Sequence, residues 1–243
     1  NQIFPRFGFF MKTILITGSS SGIGLGIARE FAKTKQYNLV LNGLEANGPQ
    51  IAADLAKEFG IKTIFSPANM LKPAELRDMV KTAVDTFGSV DVLVNNAGQY
   101  LPGRVIDEPQ GNLEQLIETN LYSAYYFSRA FIGKMMAQKS GHIFNISSIA
   151  GLQAFPNGGS YSISKFAMTG LSKALREELK NEGVKVTNVA PGATYTDSWA
   201  GANLPESRFV QANDIAKLLF DMYHLSASAV VEELVIRPIL GDI

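Results

Sequence analysis

The chain has 243 residues, with 22 basic and 22 acidic side chains, two histidines and no cysteine. A formal net charge of zero argues against the basic surface of a protein that binds nucleic acid or an anionic membrane. No apolar run approaches the roughly 18 residues of a membrane span. The composition therefore excludes a disulfide-stabilised class, and we expect no metal site, no nucleic-acid or membrane partner, and a cytoplasmic location.

The first ten residues, NQIFPRFGFF, precede Met11 and carry four phenylalanines. One interpretation is an aromatic arm that docks on a partner subunit. The interpretation we favour is an appended or disordered extension, with Met11 as the true start. We therefore expect residues 1–10 to be separate from a single domain at 11–243.

Short apolar runs alternate along the chain with longer segments whose apolar residues recur at helical spacing. Strands are expected at 12–17, 38–42, 61–66, 90–95, 142–147, 184–189 and 232–237. Helices are expected at 23–35, 48–59, 73–87, 112–139, 160–181 and 213–225. This alternation predicts right-handed βαβ units in an α/β fold, with a doubly wound, mostly parallel sheet of seven strands and helices on both faces.

A glycine-rich turn, TGSSSGIG, joins the first predicted strand to the first predicted helix. Glycines let the backbone approach a pyrophosphate closely, and the free N–H groups of a helix N-terminus bind anions. A Walker-type phosphate loop is excluded because no Gly-Lys-Ser/Thr follows. The turn predicts a dinucleotide site, although a tight turn without a ligand is the alternative. The residues expected at this site are Gly18, Ser20, Ser21, Gly22, Ile23 and Gly24.

Tyr161 and Lys165 are four residues apart and so lie on one face of a predicted helix. A tyrosine hydroxyl has a reference pKa of about 10, which is too high for a base at neutral pH, and a nearby ammonium favours the phenolate. We therefore expect Lys165, together with the positive charge of a bound oxidised nicotinamide, to lower the pKa of Tyr161. Tyr161 would then act as general acid in a reduction and as general base in an oxidation. The alternative is that this tyrosine is a core or interface residue, as a lone tyrosine on a helix usually is.

Six motifs occur in a fixed order along the chain: TGSSSGIG, NNAG at 95–98, Asn120, Ser147-Ser148, YSISK at 161–165, and Pro191-Gly192. Together they resemble the short-chain dehydrogenase/reductase family over about residues 12–237. The 3-oxoacyl-[acyl-carrier-protein] reductases and 3-hydroxybutyrate-type dehydrogenases are the similar members. The resemblance implies a single-domain Rossmann fold and an NAD(P)-dependent oxidoreductase. Such an enzyme transfers a hydride between nicotinamide and a carbonyl or secondary alcohol.

The resemblance also implies roles for particular residues. The implied catalytic set is Asn120, Ser148, Tyr161 and Lys165. In it, Ser148 binds the substrate oxygen, Lys165 also holds the nicotinamide ribose, and Asn120 supports Lys165 through its main chain and a bound water. Further cofactor contacts are implied at Gly43, Leu44, Asn69, Met70, Asn96, Ala97, Gly98, Pro191, Gly192 and Thr196.

Two features depart from the family pattern. The second predicted strand ends Asn42-Gly43-Leu44, without the aspartate frequent in NAD enzymes or the arginine frequent in NADP enzymes. No basic residue stands at Ser21 either, and Glu45 lies nearby, so we favour NAD over NADP. The family ending Val-Asp-Gly-Gly is also absent after the last predicted strand.

The expected partners are a small carbonyl or alcohol substrate, with a 3-oxoacyl thioester as one candidate, and further copies of this chain. Helices 112–139 and 160–181 carry more apolar residues than one sheet face covers, which favours a homodimer or homotetramer. On the second of these helices we expect Phe166, Met168, Leu171 and Leu175 to be exposed.

Residues 192–212 form a long irregular stretch with several aromatic side chains. We interpret the stretch either as a lid that closes over an apolar substrate or as aromatic side chains that only fill the space beside the last helix. The alternative function is a catalytically inactive, nucleotide-sensing protein on the same fold, against which the intact catalytic set argues.

Overall fold

The computed structural model describes residues 11–199 and 201–243, so the predicted extension at 1–10 lies outside the described residues. Seven strands form one sheet in the order β3-β2-β1-β4-β5-β6-β7, and every neighbouring pair is parallel. The strands are β1 (Lys12–Ile16), β2 (Tyr37–Asn42), β3 (Thr63–Ser66), β4 (Val92–Asn95), β5 (Gly141–Ile146), β6 (Val184–Pro191) and β7 (Glu233–Ile236). The predicted doubly wound α/β fold is confirmed.

Helices cover both faces of this sheet. They are α1 (Gly22–Ala32), α2 (Gly48–Phe59), α3 (Pro73–Phe87), α4 (Asn112–Ile117), α5 (Ser123–Gln138), α6 (Gly159–Leu179) and α7 (Ala212–Tyr223). Each predicted helix is present, with ends shifted by at most a few residues, and the one predicted at 112–139 consists of α4, a π-helical turn and α5. None of the described helices combines the length and the apolar character needed to cross a membrane.

The central strands of the sheet are buried on both faces because successive strand residues enter different cores. In β1, Ile14 and Ile16 pack with α1, α2 and α7, whereas Leu15 packs with α3, α5 and α6. All three side chains are fully buried. Such strands read as continuous apolar runs, which is why the sequence predicts them well.

The two halves of the sheet diverge at β1. This strand pairs with β2 on one side and with β4 on the other, and β3 lies beyond β2. The connections that leave β1 and β4 therefore run in opposite directions and open a crevice at the carboxyl ends of these strands. Ligands bind at such a switch point in open α/β sheets.

The long helix predicted at 112–139 is present from Asn112 to Gln138. It contains a π-helical turn, Glu118–Tyr122, between α4 and α5, which the sequence did not predict. This turn inserts an extra residue, and the Ser123 hydroxyl donates to the Thr119 carbonyl at 2.7 Å. Asn120, at the centre of the turn, is fully buried. The interruption therefore directs an amide side chain inward, where a regular helix would continue its apolar pattern.

The predicted exposed face of α6 needs a correction. Met168 and Leu175 are buried in the core, and Leu171 is half-buried, because α6 lies against the sheet on that side. Phe166 is exposed as predicted, with 45% of its surface accessible. The exposed apolar groups beside it come from Ile163 and, on the neighbouring helix, from Tyr122, Tyr125 and Tyr126.

His142 is buried in an aromatic cluster and stacks on Phe144, with 3.8 Å between the ring centroids. Its Nε2 lies 2.8 Å from the Thr187 hydroxyl, which itself donates to the Val231 carbonyl at 2.6 Å. Nε2 therefore carries the proton and donates, and Nδ1 has no hydrogen-bond partner among the described residues. Burial, with a smaller contribution from Lys185, lowers the pKa of His142 to about 3.

We predict that this histidine makes the protein sensitive to acid. The unfolded chain takes up a proton near the ordinary histidine pKa of about 6.5, whereas the folded protein does so only near 3, so stability falls as the pH drops between these values. From pH 7 to pH 5 the His142 contribution is about 2 kcal/mol. His142→Gln retains a donor for Thr187 and does not titrate. Urea unfolding at both pH values should therefore show a smaller loss of stability in the variant, and equal losses would contradict the prediction.

Candidate active site

The glycine-rich turn lies in the crevice and runs directly into α1. Gly18 has a positive φ of 61°, and a Cβ atom there would come within 3.0 Å of the Ala97 Cα. Gly22 has a φ of 52°, and a Cβ atom there would lie 3.1 Å from the Thr196 methyl group. The fold thus brings Gly18 next to Ala97 and Gly22 next to Thr196, although these predicted cofactor residues are far apart in sequence.

The turn is held in place by the strand ends around it. The Asn96 side-chain amide donates to the carbonyls of Thr17 and Gly18 at 2.9 and 2.8 Å. The Gly18 N–H donates to Asn42 Oδ1 at 3.1 Å, and the Ala97 N–H to the Thr17 hydroxyl at 2.9 Å. Asn96 was predicted as a cofactor contact, and in the structure its amide fastens the turn to the end of β4.

A carboxylate lies beside the turn, after β2. Glu45 accepts a short hydrogen bond from the Ser20 hydroxyl, and this bond lowers the pKa of Glu45. A Cβ atom at Gly43 would lie 2.6 Å from Glu45 Oε2, so the two residues are in close contact. Leu44 points outward and is 65% exposed. This end of the crevice therefore presents a negative charge and an apolar side chain.

Asn69 and Met70 follow β3 on the same side of the crevice. The Asn69 side-chain oxygen accepts from the Leu71 N–H at 2.9 Å, and the Asn69 N–H donates to Glu75 at 2.8 Å. Met70 is half-buried against the core. The predicted contact of these residues with adenine stays a prediction.

Tyr161 and Lys165 lie on one face of α6, as their spacing predicts. The Lys165 ammonium is 5.8 Å from the centroid of the Tyr161 ring, and it donates to the Ile146 carbonyl at 2.9 Å. A Cβ atom at Gly98 would lie 3.5 Å from the Lys165 nitrogen. Gly98, which follows β4, and Ile146, the last residue of β5, therefore both lie beside the Lys165 ammonium.

The two neighbouring serines after β5 have different surroundings. The Ser147 hydroxyl is buried, donates to the Lys165 carbonyl at 3.1 Å and lies 3.1 Å from the Thr169 hydroxyl. Ser148 is half-exposed and accepts from the Ala150 N–H at 3.1 Å. Its hydroxyl also lies close enough to Tyr161 to lower the pKa of that residue. Ser148, which the family spacing selects, is thus the serine that faces the tyrosine.

Asn120 joins three segments around the site. Its Oδ1 accepts from the Gln99 N–H at 2.7 Å, and its Nδ2 donates to the Gln99 carbonyl at 3.0 Å. Nδ2 also donates to the Ser164 hydroxyl at 2.9 Å, which in turn donates to the Tyr161 carbonyl at 2.7 Å. The Asn120 side chain therefore supports α6 through Ser164. Its predicted support of Lys165 through the main chain and a water stays a prediction.

Burial dominates the ionisation of the tyrosine–lysine pair. It raises the pKa of Tyr161, with a smaller opposite effect from Ser148 and a further small increase from Tyr100. Burial also lowers the pKa of Lys165 to about 8. Tyr161 is therefore a protonated hydroxyl at neutral pH in the protein alone, and the lowering of its pKa by Lys165 together with a bound oxidised nicotinamide stays a prediction.

One residue of the site escaped the sequence analysis. Tyr100 packs edge-on against the Tyr161 ring, with 4.9 Å between the centroids, and 47% of its surface is exposed. It is the second residue after the NNAG motif, and that position was the only signal available. Its ring forms a wall beside the tyrosine hydroxyl.

The segment 192–212 leaves the end of β6 at Pro191-Gly192 and returns to it. The Tyr195 N–H donates to the Val210 carbonyl at 2.9 Å, and this main-chain bond joins the two ends of the segment. Trp199 packs on Phe209, with 5.5 Å between ring centroids. The Trp199 contact accords with gap filling, and closure of the segment over a substrate stays a prediction.

Arg208 is the only cationic residue of segment 192–212, and its side chain is hydrogen-bonded to the main chain near the end of the sequence. The Arg208 guanidinium donates to the carbonyls of Gly241 and Asp242 at 2.8 and 2.9 Å. A Cβ atom at Gly192 would lie 3.1 Å from Pro238 Cδ, so residues that follow β7 pack against the Pro191-Gly192 motif.

Residues 12–207 match the family model described as short chain dehydrogenase. The chain belongs to the short-chain dehydrogenase family. The predicted resemblance is confirmed, and this short-chain dehydrogenase is an NAD(P)-dependent oxidoreductase.

Three comparisons support this assignment. The chain is 33% identical over 237 residues to a sepiapterin reductase of Chlorobaculum tepidum, covering 95% of this chain and 97% of that protein. It is 38% identical over 187 residues to a D-beta-hydroxybutyrate dehydrogenase of Rhizobium meliloti, covering 76% and 72%. The X-ray structure of an alcohol dehydrogenase from the archaeon Thermococcus sibiricus, complexed with 5-hydroxy-NADP, has a TM-score of 0.87 and 27% identity, covering 96% and 99%.

The crevice of this short-chain dehydrogenase fits a nicotinamide dinucleotide. Glycines occupy the two positions of the turn where the backbone has a positive φ, and α1 begins within the turn at Gly22. The first-turn N–H groups of a helix lack acceptors within the helix and bind phosphate. Thr196, Gly98 and Lys165 lie further along the same crevice. The arrangement suits an extended ligand with a diphosphate at the turn.

Proposed function

We propose that this enzyme reduces the carbonyl group of an uncharged small molecule, with Tyr161 as the proton donor. The observation that carries the proposal is the placement of Tyr161 beside Ser148, Lys165 and Tyr100, where burial raises the pKa of the tyrosine. The bound nicotinamide supplies or accepts the hydride. The other proposed steps belong to the protein's own side chains, in the domain that we propose for residues 11–243.

In the proposed mechanism each group of the site has one task. Ser148 donates a hydrogen bond to the substrate carbonyl oxygen, which holds the carbonyl and stabilises the negative charge that develops on it. Tyr161 donates its proton to the same oxygen. Lys165 lies below the tyrosine ring, holds the nicotinamide ribose and stabilises the phenolate that remains. Asn120 keeps α6 in place through Ser164.

The proposed cofactor contacts follow the crevice from one end to the other. The turn from Gly18 to Gly24 would hold the diphosphate, Gly43 and Leu44 the adenosine ribose, and Asn69 and Met70 the adenine. The remainder of the cofactor would be contacted by Asn96, Ala97, Gly98, Tyr161, Lys165, Pro191, Gly192 and Thr196. Their closeness along the switch point of the sheet supports this proposal.

An uncharged substrate is favoured because Arg208 is occupied by main-chain carbonyls and is the only cation of segment 192–212. The exposed ring of Tyr100 would offer an apolar surface to the substrate. The full-length similarity to a sepiapterin reductase makes a ketone beside a flat ring system the first compound to test. A 3-oxoacyl thioester stays a second candidate, and a cytoplasmic location stays a prediction from the cysteine-free composition.

The first test is Tyr161→Phe. Because the phenyl ring keeps its packing and loses the proton, turnover should fall more than tenfold, while the dissociation constant for the cofactor stays within about threefold. In the wild type, the rate of alcohol oxidation should rise with pH, since oxidation needs the phenolate and burial raises the pKa of Tyr161.

Both quantities are measured by nicotinamide absorbance on a panel of sepiapterin, acetoacetate and acetoacetyl thioester with both cofactors. Tyr223→Phe, which removes a hydroxyl bonded to Lys12 at the other end of the sheet, is the control. More than a tenth of wild-type turnover in Tyr161→Phe would exclude the proposed role. Wild-type protein without turnover on any compound would favour the nucleotide-sensing alternative.

We further propose that the enzyme prefers NAD(H) to NADP(H). A 2′-phosphate on the adenosine ribose would approach the Glu45 carboxylate, which the Ser20 hydroxyl keeps ionised. An acidic side chain at this place instead accepts hydrogen bonds from the ribose hydroxyls. Leu44 and Ser21, where a cation would meet the phosphate, are uncharged. The similar alcohol dehydrogenase was crystallised with an NADP derivative, so the proposal depends on the residues of this chain alone.

Glu45→Gln tests this preference. Removing the charge should improve NADPH binding by about tenfold and change NADH binding much less, since like charges in close contact cost roughly 1–2 kcal/mol at a partly exposed site. Dissociation constants are measured by fluorescence titration, with Glu58→Gln on the outer surface as control. If the wild type binds NADPH more tightly than NADH, the preference is wrong.

Finally, we propose that a second copy of the chain covers the exposed apolar groups of α6, of α5 and of the π-helical turn that precedes α5. The face consists of Tyr122, Tyr125, Tyr126, Ile163 and Phe166, each 40–48% exposed. Family members pair these two helices across a two-fold axis, as the sequence resemblance implies. A homodimer is therefore the proposed minimum, and a homotetramer is compatible with it.

Phe166→Arg should disrupt this assembly. A charge buried against a second apolar face is strongly unfavourable, so the variant should become monomeric at micromolar concentration. Light scattering coupled to size exclusion measures the mass. Val84→Arg on α3 places the same charge on a similarly exposed residue outside the face and should leave the mass unchanged. A stable wild-type monomer at micromolar concentration would contradict the proposal.

A further inference from the structure

The segment between β4 and α4 forms one wall of the proposed site and is attached to its surroundings at two places. Near its start, the Gln99 main chain is bonded to the buried Asn120 side chain. Further on, Gly103 and Glu108 meet the residues that begin α6. Tyr100 lies between these two attachments and packs on Tyr161.

Glu108 makes the second attachment through both carboxylate oxygens. Oε2 accepts from the Ser160 N–H at 3.3 Å, and Oε1 accepts a short hydrogen bond from the Ser160 hydroxyl. Ser160 is buried and lies in the first turn of α6, where main-chain N–H groups have no acceptor within the helix. A carboxylate is favourable there because it also meets the positive end of the helix dipole.

The close approach of the two segments depends on glycines. A Cβ atom at Gly159 would lie 2.4 Å from the Gly103 carbonyl oxygen and 2.9 Å from Glu108 Oε2. A Cβ atom at Gly103 would lie 2.8 Å from the Glu108 Cβ. The Gly103 N–H donates to the Asn157 carbonyl at 3.1 Å. The backbones are therefore in direct contact, with the Glu108 carboxylate filling the remaining space.

This contact lies one residue from the proposed proton donor. Ser160 immediately precedes Tyr161, so a displacement of Ser160 moves the tyrosine hydroxyl directly. The same segment carries Tyr100, whose ring packs against the tyrosine on the substrate side. Glu108 thus fixes both the first turn of α6 and the wall opposite it.

We propose that Glu108 is a positioning residue, which holds Tyr161 in its reactive place by binding Ser160. This inference rests on the proposed function, because it gives Tyr161 the role of proton donor. Glu108 has no described contact with the glycine-rich turn or with Lys165. Its loss should therefore affect the chemical step and leave cofactor binding intact.

The test compares Glu108→Ala with Glu108→Gln. Misplacement of a reacting group by about 1 Å can reduce a rate by up to about 100-fold, so kcat of Glu108→Ala should fall at least tenfold. The cofactor dissociation constant should stay within about threefold. Glu108→Gln keeps an oxygen that accepts from the Ser160 N–H, and its kcat should recover to within about threefold of wild type.

Two further variants separate positioning from general damage to the fold. Ser160→Ala removes one of the two bonds, so it should lower kcat about threefold and have little added effect in the Glu108→Ala background. Asp107→Ala removes the neighbouring carboxylate, which pairs with Arg104 on the surface, and should leave kcat unchanged. Thermal unfolding of every variant gives its folded fraction.

Several results would overturn the proposal. These are a Glu108→Ala kcat within twofold of wild type, losses that multiply in the double variant, or a loss of activity that matches the loss of folded protein. An equal defect in Glu108→Gln would also overturn it. If Tyr161→Phe remains active, the proposed function fails, whereas inactive Tyr161→Phe with fully active Glu108→Ala refutes only the role of Glu108.

Discussion

The arrangement of the site depends on one buried amide. Asn120 is inaccessible to solvent, and a buried polar group without partners costs about 1–3 kcal/mol. Its oxygen and nitrogen are satisfied by the Gln99 main chain and by Ser164. Asn120 lies at the centre of the π-helical turn. One side chain on this irregular turn thereby joins the segment after β4 to the N-terminal part of α6.

A second set of buried polar groups, on strands β4, β5 and β6, holds α5 and α6 against the sheet. Asn95, Asn145 and Asn188 occupy paired positions on β4, β5 and β6. Asn95 donates to Ser128 of α5 and to Asn145, and Asn145 donates to Ser172 of α6. Directional bonds of this kind specify one placement of a helix on a sheet, whereas apolar contacts alone tolerate sliding. Both helices that flank the site are therefore attached at two levels.

The sequence predicts best what depends on periodicity and on local chemistry. The alternation of Ile14, Leu15 and Ile16 between two cores follows from their place in a continuous apolar run, and the Tyr161–Lys165 face follows from their spacing. The π-helical turn was missed because its cause, the bonds of Asn120 to distant segments, is invisible in a helical pattern. The contact of Glu108 with Ser160 spans 52 positions and has no signature in either segment.

The ionisation of Tyr161 depends on more than its neighbours in sequence. The spacing to Lys165 and the charge of an oxidised nicotinamide both predict a lowered pKa, and that prediction concerns the complex with cofactor. In the protein alone, burial raises the pKa of Tyr161. The order of motifs predicts which residues share one crevice, whereas the burial around Tyr161 follows only from the structure.

The bonds around the glycine-rich turn have a consequence for the thermodynamics of nucleotide association. The main chain of Ser19 and Gly18 is fixed by Asn42 and Asn96 through the protein's own hydrogen bonds. Ordering the backbone of a flexible residue costs about 1–2 kcal/mol, so a loose turn of five residues would reduce the affinity for any ligand by several kcal/mol. Here that entropy is lost when the chain folds. If the turn holds the diphosphate as we propose, dinucleotides of either type meet a backbone that is already ordered, and discrimination between them falls to the side chains beside the turn.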